Sequence, residues 1–443
     1  MVETRLSAKV AEALPYERGE RLRILLFALL GTVFDGADFT IFIYEMAPLA
    51  SYFHASLASL SWVQAASYVA GVAGGLLFGA LADRRGRRLG LTLTVATYSL
   101  FTLASAFAPD LRVLLLLRVL AGVGIGGESG IAFAYVSEAY PAARNRRGWL
   151  GGLLQSMFLA GGFVAAWLYA FTSQRYGAEG WRWAMGYLGL VAVLAVAIRL
   201  GMPESRVWLA SRQAAASGAG RGPGAGRQAL ATVAEILGGG AGRRTLLATA
   251  MMVGAFFGGY AVATFAPAMW TTVFGLGASQ VASLGYAGWL AAIAAYLAGG
   301  ALGDALGRRR SFVLTGLFGL LGYGLYLVVG PLLRLPATPA TLWTSWPFFA
   351  FLWLQAGYGY FGVQGVWLSE LYPTHGRATA QNFVYYVARA LGAGLAPAAA
   401  LALAQALGQD VRTAIALGGA GTLLAVLLAR RLPETYRTAL RGD

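Results

Sequence analysis

The chain has 443 residues, of which 58% are hydrophobic and only 12% are charged, and the charges cluster between long apolar runs. This composition is typical of a membrane protein and argues against a soluble globular domain. The sequence has no cysteine and only two histidines, which excludes disulfides and thiolate or haem sites and argues against a metal site. Lys9 is the only lysine, so the sequence lacks the lysine of a Walker A motif for ATP hydrolysis.

Apolar runs long enough to cross a bilayer recur along the whole chain. A spanning helix needs about 20 mostly apolar residues, because its backbone amides find no water in the hydrocarbon. Twelve such runs predict an all-α membrane protein with twelve transmembrane helices. In chain order, the predicted spans are residues 23–49, 60–82, 89–108, 111–139, 148–172, 181–201, 244–273, 280–303, 311–332, 345–370, 376–405 and 411–431.

The net charge of +15 is distributed unevenly between the two sides that these spans define. With the N-terminus inside, the inner segments hold most of the arginines and the outer loops hold few. This asymmetry follows the positive-inside rule and predicts cytoplasmic N- and C-termini. The basic excess is therefore a topology signal, and nucleic acid is not expected as a partner. The inner arginines between spans are Arg84, Arg85, Arg87, Arg88, Arg144, Arg146, Arg147 and Arg308 to Arg310.

The second half of the chain repeats three motifs of the first half in the same order. Such a repeat predicts two homologous six-helix bundles, residues 1–203 and 244–443, with a solute site at their interface. The Gly/Ala/Arg-rich segment between them, residues 204–243, predicts a flexible cytoplasmic linker. The paired motifs are GALADRRGRR at 79–88 with GALGDALGRRR at 300–310, SEAYPAARNR at 137–146 with SELYPTHGRA at 369–378, and MPES at 202–205 with LPET at 432–435.

The repeated loop segment at 79–88, with its glycines, aspartate and paired arginines, matches the loop signature of the major facilitator superfamily. The chain therefore resembles that superfamily over essentially its whole length, which implies two pseudo-symmetric bundles of six helices. FDGADF at 34–39 and RVLAGVGIGGESG at 118–130 are similar to the proton-coupled symporters of organic anions, particularly the sialate and metabolite branches. PESRVWL at 203–209 instead resembles a sugar-porter element.

The resemblance implies a gating role for the charged residues of the repeated motifs. An aspartate at the inner end of one helix can accept hydrogen bonds from a neighbouring helix N-terminus and pair with loop arginines, which holds the inner side closed. The alternative is that these arginines anchor the loops to anionic lipid. The predicted gating residues are Asp83, Arg87, Arg88, Glu138 and Arg144 in the first half, and Asp304, Arg308, Glu370 and Arg377 in the second.

Three carboxylates lie within the first predicted helix, at Asp35, Asp38 and Glu45. At 100° per residue, Asp38 and Glu45 lie about 60° and 80° from Asp35 on one side of the helix. Because an ionised group is costly in hydrocarbon, this acidic stripe should face a wet cavity. A carboxylate whose surroundings change between two cavity openings can carry a proton, so Asp35 and Asp38 are predicted to couple transport to protons. The alternative is that either one pairs with an arginine to stabilise the fold.

The fourth predicted helix contains two charged residues, Arg118 and Glu128, about 15 Å apart along its axis. They cannot pair with each other, so we expect Arg118 to pair with Asp35 or Asp38, and Glu128 to take part in proton coupling. The glycines at 122, 126 and 130 recur every four residues and predict close helix packing. The segment GVGIGG at 122–127 also matches G-x-G-x-x-G, but it is not a dinucleotide site, because no strand precedes it.

Arg389 is the one clear intramembrane cation of the second half, and it shares a helix face with Asn382, Tyr385 and Tyr386. A buried guanidinium with no acid predicted nearby in its own half suits a bidentate grip on a substrate carboxylate. The alternative is that it binds backbone carbonyls between the two halves. The predicted substrate-binding residues are Arg389, Arg118, Gln155, Tyr260, Tyr360, Gln364, Asn382 and Tyr385.

Together these features predict a secondary active transporter of the bacterial cytoplasmic membrane, which moves a small organic anion (a monocarboxylate or acidic sugar) with a proton by alternating access. The proton is the expected coupling ion and no cofactor is expected. The expected partners are the organic anion and the lipid bilayer, and the chain is expected to be monomeric. An enzyme is not expected, because no nucleophile and base lie at a suitable spacing on a soluble domain. The alternatives are a sugar facilitator or symporter, a drug:proton antiporter of the same fold, and a non-transporting membrane receptor.

Overall fold

The computed structural model describes residues 16–139, 147–199, 201–206, 208–209, 238–329, 346–372 and 377–436, which form twelve helical spans and no strand. The first six are α1 (Arg18–Tyr52), α2 (Leu57–Arg85), α3 (Arg87–Ser105), α4 (Leu111–Ala139), α5 (Arg147–Tyr176) and α6 (Gly180–Arg199). The next three are α7 (Gly239–Thr272), α8 (Ala278–Leu306) and α9 (Arg308–Gly324, extended by the π-helical turn Leu325–Val329). The last three are α10 (Trp346–Ala356 and Tyr360–Glu370), α11 (Arg377–Ala388 and Ala396–Ala406) and α12 (Val411–Ala429).

Each predicted span coincides with one of these helices, and most ends agree within a few residues. The largest differences are at the cytoplasmic ends of α1 and α7, which begin at Arg18 and Gly239. Hydropathy detects only the part of a helix in hydrocarbon, whereas backbone hydrogen bonding continues into the interface. In α1 the extra turns are held by a capping box, in which the Glu17 N–H donates to the Glu20 carboxylate at 2.9 Å. The start of α7 lies inside the predicted linker, and the three-part division of the chain stays a prediction.

Two helices of the second half are interrupted, which the hydrophobic pattern did not predict. The two segments of α10 are joined by the 3-10 turn Gly357–Gly359, and those of α11 by the π-helical segment Arg389–Leu395. In α10, a Cβ on Gly359 would lie 2.7 Å from Thr315 Cγ2, so glycine is required where α9 approaches. In α11, the π segment begins at the predicted substrate-binding arginine, and such irregular turns are frequent at functional sites.

The predicted glycine packing is present between α2 and α4. A Cβ on Gly126 would meet the backbone of Gly71, and one on Gly122 would meet the backbone of Ser67. Close contact of the two backbones therefore depends on the absence of side chains at these α4 positions. The glycine motif of α4 thus has the structural role expected from its spacing.

The outer surface of the helices suits a bilayer. Eight helical stretches of the described residues are long and apolar enough to cross a membrane. Large apolar side chains are also exposed around the described spans, including Leu77, Leu290 and Leu321, each about 60% exposed. Apolar exposure on this scale is unfavourable in water and favourable against lipid.

The two halves meet along several helix pairs. In the first half, α5 contacts α8 and α10, α2 contacts α11, and α1 contacts α7. At the contact of α5 with α8, the ring of Trp289 lies against Gly162, and at that of α2 with α11, Tyr68 lies against Gly394. The residues discussed next lie on this interface or directly beside it.

Candidate functional site

Arg118 forms a buried ion pair with Asp38. Arg118 Nη2 lies 3.0 Å from Asp38 Oδ2, and Arg118 Nη1 donates to Asp38 Oδ1 at 3.4 Å. The Thr102 hydroxyl donates to Asp38 and accepts from Arg118 Nη1 at 3.2 Å, so the pair joins α1, α3 and α4. Both charged side chains are only 1% exposed, and the guanidinium lies 5.4 Å from the Phe42 ring centroid. The expected pairing of Arg118 is confirmed, and its partner is Asp38.

Asp35 lies one turn away on α1 in a different environment. The side chain is completely buried, and neither carboxylate oxygen has a hydrogen-bond partner among the described residues. Its charged neighbours are Arg389 of the second half, Glu128 and Asp38. Glu128 is also completely buried and accepts a hydrogen bond from the Thr94 hydroxyl at 2.6 Å. Of the two α1 aspartates, Asp35 is therefore the one that is free to exchange a proton without breaking an ion pair.

The acidic stripe of α1 faces the protein interior, as expected, but its members do not line a wet cavity. Glu45, like Asp35, is completely buried and has no hydrogen-bond partner among the described residues. The expectation of a wet cavity along the stripe is wrong for this conformation, because the two halves are packed closely around α1. Glu45 lies near Tyr169 of α5, toward the outer end of the helix.

Arg389 is inserted among aromatic rings of the opposite half. Its guanidinium carbon lies 5.1 Å from the ring centroid of Tyr68, 5.2 Å from that of Phe158 and 5.7 Å from that of Phe39. These rings come from α2, α5 and α1, and cation–π attraction to them offsets part of the cost of burying the charge. The side chain is 3% exposed, and its Nε and Nη2 have no hydrogen-bond partner among the described residues. We call Phe39, Tyr68 and Phe158 the aromatic cage.

Two predicted tyrosines lie beside this cage. The Tyr260 ring centroid is 5.5 Å from that of Phe39 and 5.6 Å from that of Phe256, and the Tyr385 ring is 5.3 Å from Phe256. Both tyrosines are electrostatic neighbours of Arg389 and both are half-buried. The structure therefore places Arg389, Tyr260 and Tyr385 together, as the sequence predicted.

A small central cavity opens beside Arg389. It is lined by Phe39, Gln64, Ser67, Tyr68, Gly71, Arg118, Gly122, Ile125, Gly126, Tyr386 and Arg389. Gln64 Oε1 and the Tyr68 hydroxyl are buried there and lack a hydrogen-bond partner among the described residues. Sequence reasoning missed Gln64, although an amide inside an apolar span is a detectable signal. It also missed the aromatic cage, whose members resemble ordinary packing residues.

Other predicted substrate-binding residues lie apart from this cavity. The Tyr360 hydroxyl donates to the Ala255 carbonyl at 3.2 Å, which ties α10 to α7 within the second half. Gln364 is completely buried in the same half, with both amide atoms unpartnered among the described residues, and Gln155 is half-buried on α5. Asn382 lies on α11, but its side chain is outside the described residues. The substrate role of these four residues stays a prediction.

Three predicted gating residues of the second half, Asp304, Arg308 and Glu370, form one network at the cytoplasmic ends of α8, α9 and α10. Arg308 Nη1 donates to Asp304 at 2.7 Å, and its Nη2 and Nε donate to the two oxygens of Glu370, each at 3.2 Å. Glu370 also accepts from the Thr435 hydroxyl at 2.7 Å. The N-terminus of α9 is capped by Glu434, which accepts from the N–H groups of Arg308 and Arg309 at 2.9 and 3.1 Å.

The first half repeats this cap. Glu204 accepts from the N–H groups of Arg87 and Arg88 at the start of α3, at 2.8 and 3.3 Å. Gly86 and Gly307, which precede α3 and α9, both adopt positive φ angles of 109° and 101°. The similar segments MPES and LPET therefore each supply a glutamate, Glu204 and Glu434, with the same capping role. The side chains of Asp83, Glu138 and Arg377 and the whole of Arg144 lie outside the described residues. The gating role of all the residues named for it stays a prediction.

Twelve helices in two repeated halves, with buried charges at their interface, define a polytopic membrane protein of the transporter class. Residues 28–397 match the family model described as Major Facilitator Superfamily. The chain belongs to this superfamily, which confirms the predicted family and the predicted fold.

Curated relatives and solved structures agree with this assignment. The niacin transporter NiaP of Acinetobacter baylyi is 35% identical, but the match covers 41% of this chain and 40% of the relative, so it spans less than half of either protein. The cis,cis-muconate transport protein of the same organism is 26% identical over 86% of this chain and 89% of the relative. A partially occluded, inward-open structure of the xylose transporter XylE from E. coli has a TM-score of 0.73 at 20% identity, and the match covers 95% of this chain and all of that one. These similar proteins are transporters, so the expectation that the chain is not an enzyme is confirmed.

Proposed function

We propose that the chain is a proton-coupled symporter of a small organic anion, and that Arg389 binds the carboxylate of the substrate. The main support is a buried guanidinium at the interface of the two halves with two nitrogens that have no partner among the described residues. A carboxylate fits two parallel guanidinium N–H groups. Midway between two pivoting bundles, such a site can be exposed to either side in turn.

The aromatic cage favours a substrate with a planar, unsaturated body. Rings from three helices surround the guanidinium, and Tyr260 and Phe256 extend the apolar wall into the second half. A flat acid can stack on these rings while its carboxylate lies on the guanidinium. The relative named as a cis,cis-muconate transport protein also supports an organic anion as the substrate.

Asp35 is the proposed proton carrier. It is buried on the first half and is an electrostatic neighbour of Arg389 on the second. When a substrate carboxylate neutralises Arg389, the positive charge that favours an ionised Asp35 is lost. Binding of the anion and binding of the proton therefore favour each other, which is the requirement for symport. The proton is the only coupling ion proposed, and no cofactor is needed.

We also place the protein in the bacterial cytoplasmic membrane as a monomer with both termini in the cytoplasm. The distribution of arginines supports the cytoplasmic position of the termini, because they cluster at the ends of α2, α9 and α12 on one side of the bilayer.

Transport by the reconstituted full chain tests this proposal. Liposomes are assayed for uptake of labelled niacin, cis,cis-muconate and xylose, with and without an inward acid gradient. We expect accumulation of an acid that rises with the gradient. Arg389→Gln should lower acid uptake at least about tenfold, because hydrogen bonds to a charged group are lost, and Arg389→Lys should retain part of it as a point charge.

A matched control and three outcomes decide between the alternatives. Arg182→Gln makes the same change at the outer surface, where Arg182 pairs with Glu179 at 2.8 Å, and it should leave uptake unchanged. Acid uptake that ignores the gradient would remove proton coupling. Xylose uptake that survives Arg389→Gln would favour a sugar transporter. No flux of any acid, sugar or amine would favour a receptor.

A further inference from the structure

A basic groove lies between the cytoplasmic ends of α9 and α12. It is lined by Arg309, Arg310, Val313, Leu314 and Arg430. Arg310 and Arg430 are exposed, and Arg309 is half-buried. The groove lies on the second half, away from the central cavity and from the aromatic cage.

The three groove arginines have no acidic partner among the described residues. Arg308, the neighbouring residue, is buried and pairs with Asp304 and Glu370. The nearby Glu434 directs its two oxygens at backbone N–H groups at the start of α9. Three guanidinium groups of like charge around one groove give it a positive potential that attracts an anion.

Two of the three groove arginines, Arg310 and Arg430, have no basic counterpart in the first half. Alignment of the two loop segments sets Arg310 opposite Leu89, and alignment of MPES with LPET sets Arg430 opposite Leu200. Arg309 corresponds to Arg88 of the first half, whereas Arg310 and Arg430 correspond to leucines. A requirement of the repeated motif would be expected in both halves, so Arg310 and Arg430 serve another purpose.

The groove changes from basic to apolar along the direction of the membrane normal. Val313 and Leu314 follow Arg309 and Arg310 by one helical turn, about 6 Å deeper into the bilayer. Leu314 is 51% exposed, so the apolar wall is open to lipid. Guanidinium groups at the interface above an apolar wall are complementary to a phospholipid, whose phosphate lies above its acyl chains.

We propose that this groove is a binding site for the headgroup phosphate of an anionic phospholipid of the cytoplasmic leaflet. The phosphodiester lies between Arg310 and Arg430, with Arg309 at its side, and one acyl chain lies along Val313 and Leu314. The site would tie α9 to α12 at the base of the second half, beside the network that holds Arg308.

Native mass spectrometry of the purified full chain tests the site. The delipidated protein is titrated separately with dioleoyl-phosphatidylglycerol, dioleoyl-phosphatidylcholine and inorganic phosphate. We expect tight retention of phosphatidylglycerol only. The double variant Arg310→Leu/Arg430→Leu, which introduces the leucines of the first half, should weaken that retention roughly thirtyfold, from about fivefold for each arginine.

Two further variants distinguish lipid binding in this groove from nonspecific attraction of lipid to the basic cytoplasmic surface. Arg310→Lys/Arg430→Lys keeps the positive charge and should retain most of the lipid binding. Arg18→Leu/Arg85→Leu removes two exposed cytoplasmic arginines outside the groove and should bind lipid like the wild type. The proposal is wrong if the groove and control variants lose binding equally, or if the groove variant loses none. If inorganic phosphate displaces the lipid at concentrations similar to those at which the lipid saturates the protein, the groove binds a soluble anion. That result would also overturn the proposal.

Discussion

Asp38→Asn should destabilise the protein strongly, because it leaves the Arg118 guanidinium buried without a counter-charge. The two side chains are each 1% exposed, and Arg118 Nη2 lies 3.0 Å from Asp38. An asparagine oxygen can still accept from Thr102, but the amide NH2 replaces the oxygen that accepts from Arg118 Nη2, so both the charge and that hydrogen bond are lost. Breaking a buried ion pair on one side costs about 3–5 kcal/mol. Equilibrium denaturation of the purified protein in mixed micelles, followed by tryptophan fluorescence, measures this loss.

A second variant and a control make the test specific. Asp38→Leu/Arg118→Met removes both charges and should recover most of the loss, because an apolar pair of similar size avoids the desolvation cost. Glu179→Gln breaks the exposed pair with Arg182, whose side chains are 49% and 25% exposed, and should cost about 0–1 kcal/mol. A stability of Asp38→Asn equal to that of Glu179→Gln would refute the argument that burial makes the Asp38 pair costly to break.

Three other substitutions have expected outcomes in the same assays. Asp35→Asn removes the acidic neighbour of buried Arg389 without breaking a direct ion pair, so it should lower the free energy of unfolding less than Asp38→Asn does, while acid-driven uptake is lost and exchange at equal pH remains. Glu434→Gln weakens the cap of α9 and should lower the free energy of unfolding by about 0.5–2 kcal/mol. Glu204→Gln should have a similar effect at α3, and unequal losses would contradict the symmetry of the two caps. Gly126→Ala should lower the free energy of unfolding by about 1–3 kcal/mol, because its methyl group meets the backbone of α2. In Gly79→Ala the methyl group meets no atom within 4 Å, so this control should lose little stability. Equal losses would argue against close packing at Gly126.

The helices and one charge pair could be predicted, because each follows from the free-energy cost of placing an unpaired polar or charged group in hydrocarbon. Backbone amides need about 20 apolar residues to cross hydrocarbon, so the spans follow from length and hydropathy alone. Arg118 needs a counter-charge at membrane depth, and α1 offers two within one turn. The choice between Asp35 and Asp38 depends on the rotation of α1 against α4, and sequence spacing does not determine that rotation.

The aromatic cage could not be predicted, because it depends on how the two halves meet. Phe39, Tyr68 and Phe158 lie on three helices of the first half, and Arg389 lies on the second. Single aromatic residues in apolar helices usually serve packing, so no local signal distinguishes these three. The π-helical segment after Arg389 was also missed, because a uniform helical period was assumed across α11.

The position of Arg389 and Asp35 on opposite halves suggests why a proton and an anion would move together. When the halves close, a guanidinium and a carboxylate are buried near each other, and a net charge in that space is costly. An empty carrier is balanced if Asp35 is ionised, and a loaded carrier is balanced if the substrate carboxylate is on Arg389 and the proton is on Asp35. Anion without proton, or proton without anion, leaves one charge uncompensated and disfavours closure. On the proposed mechanism, coupling therefore needs no separate gate for the proton. The cost of burying a net charge already allows only the empty carrier and the fully loaded carrier to change between the two sides of the membrane.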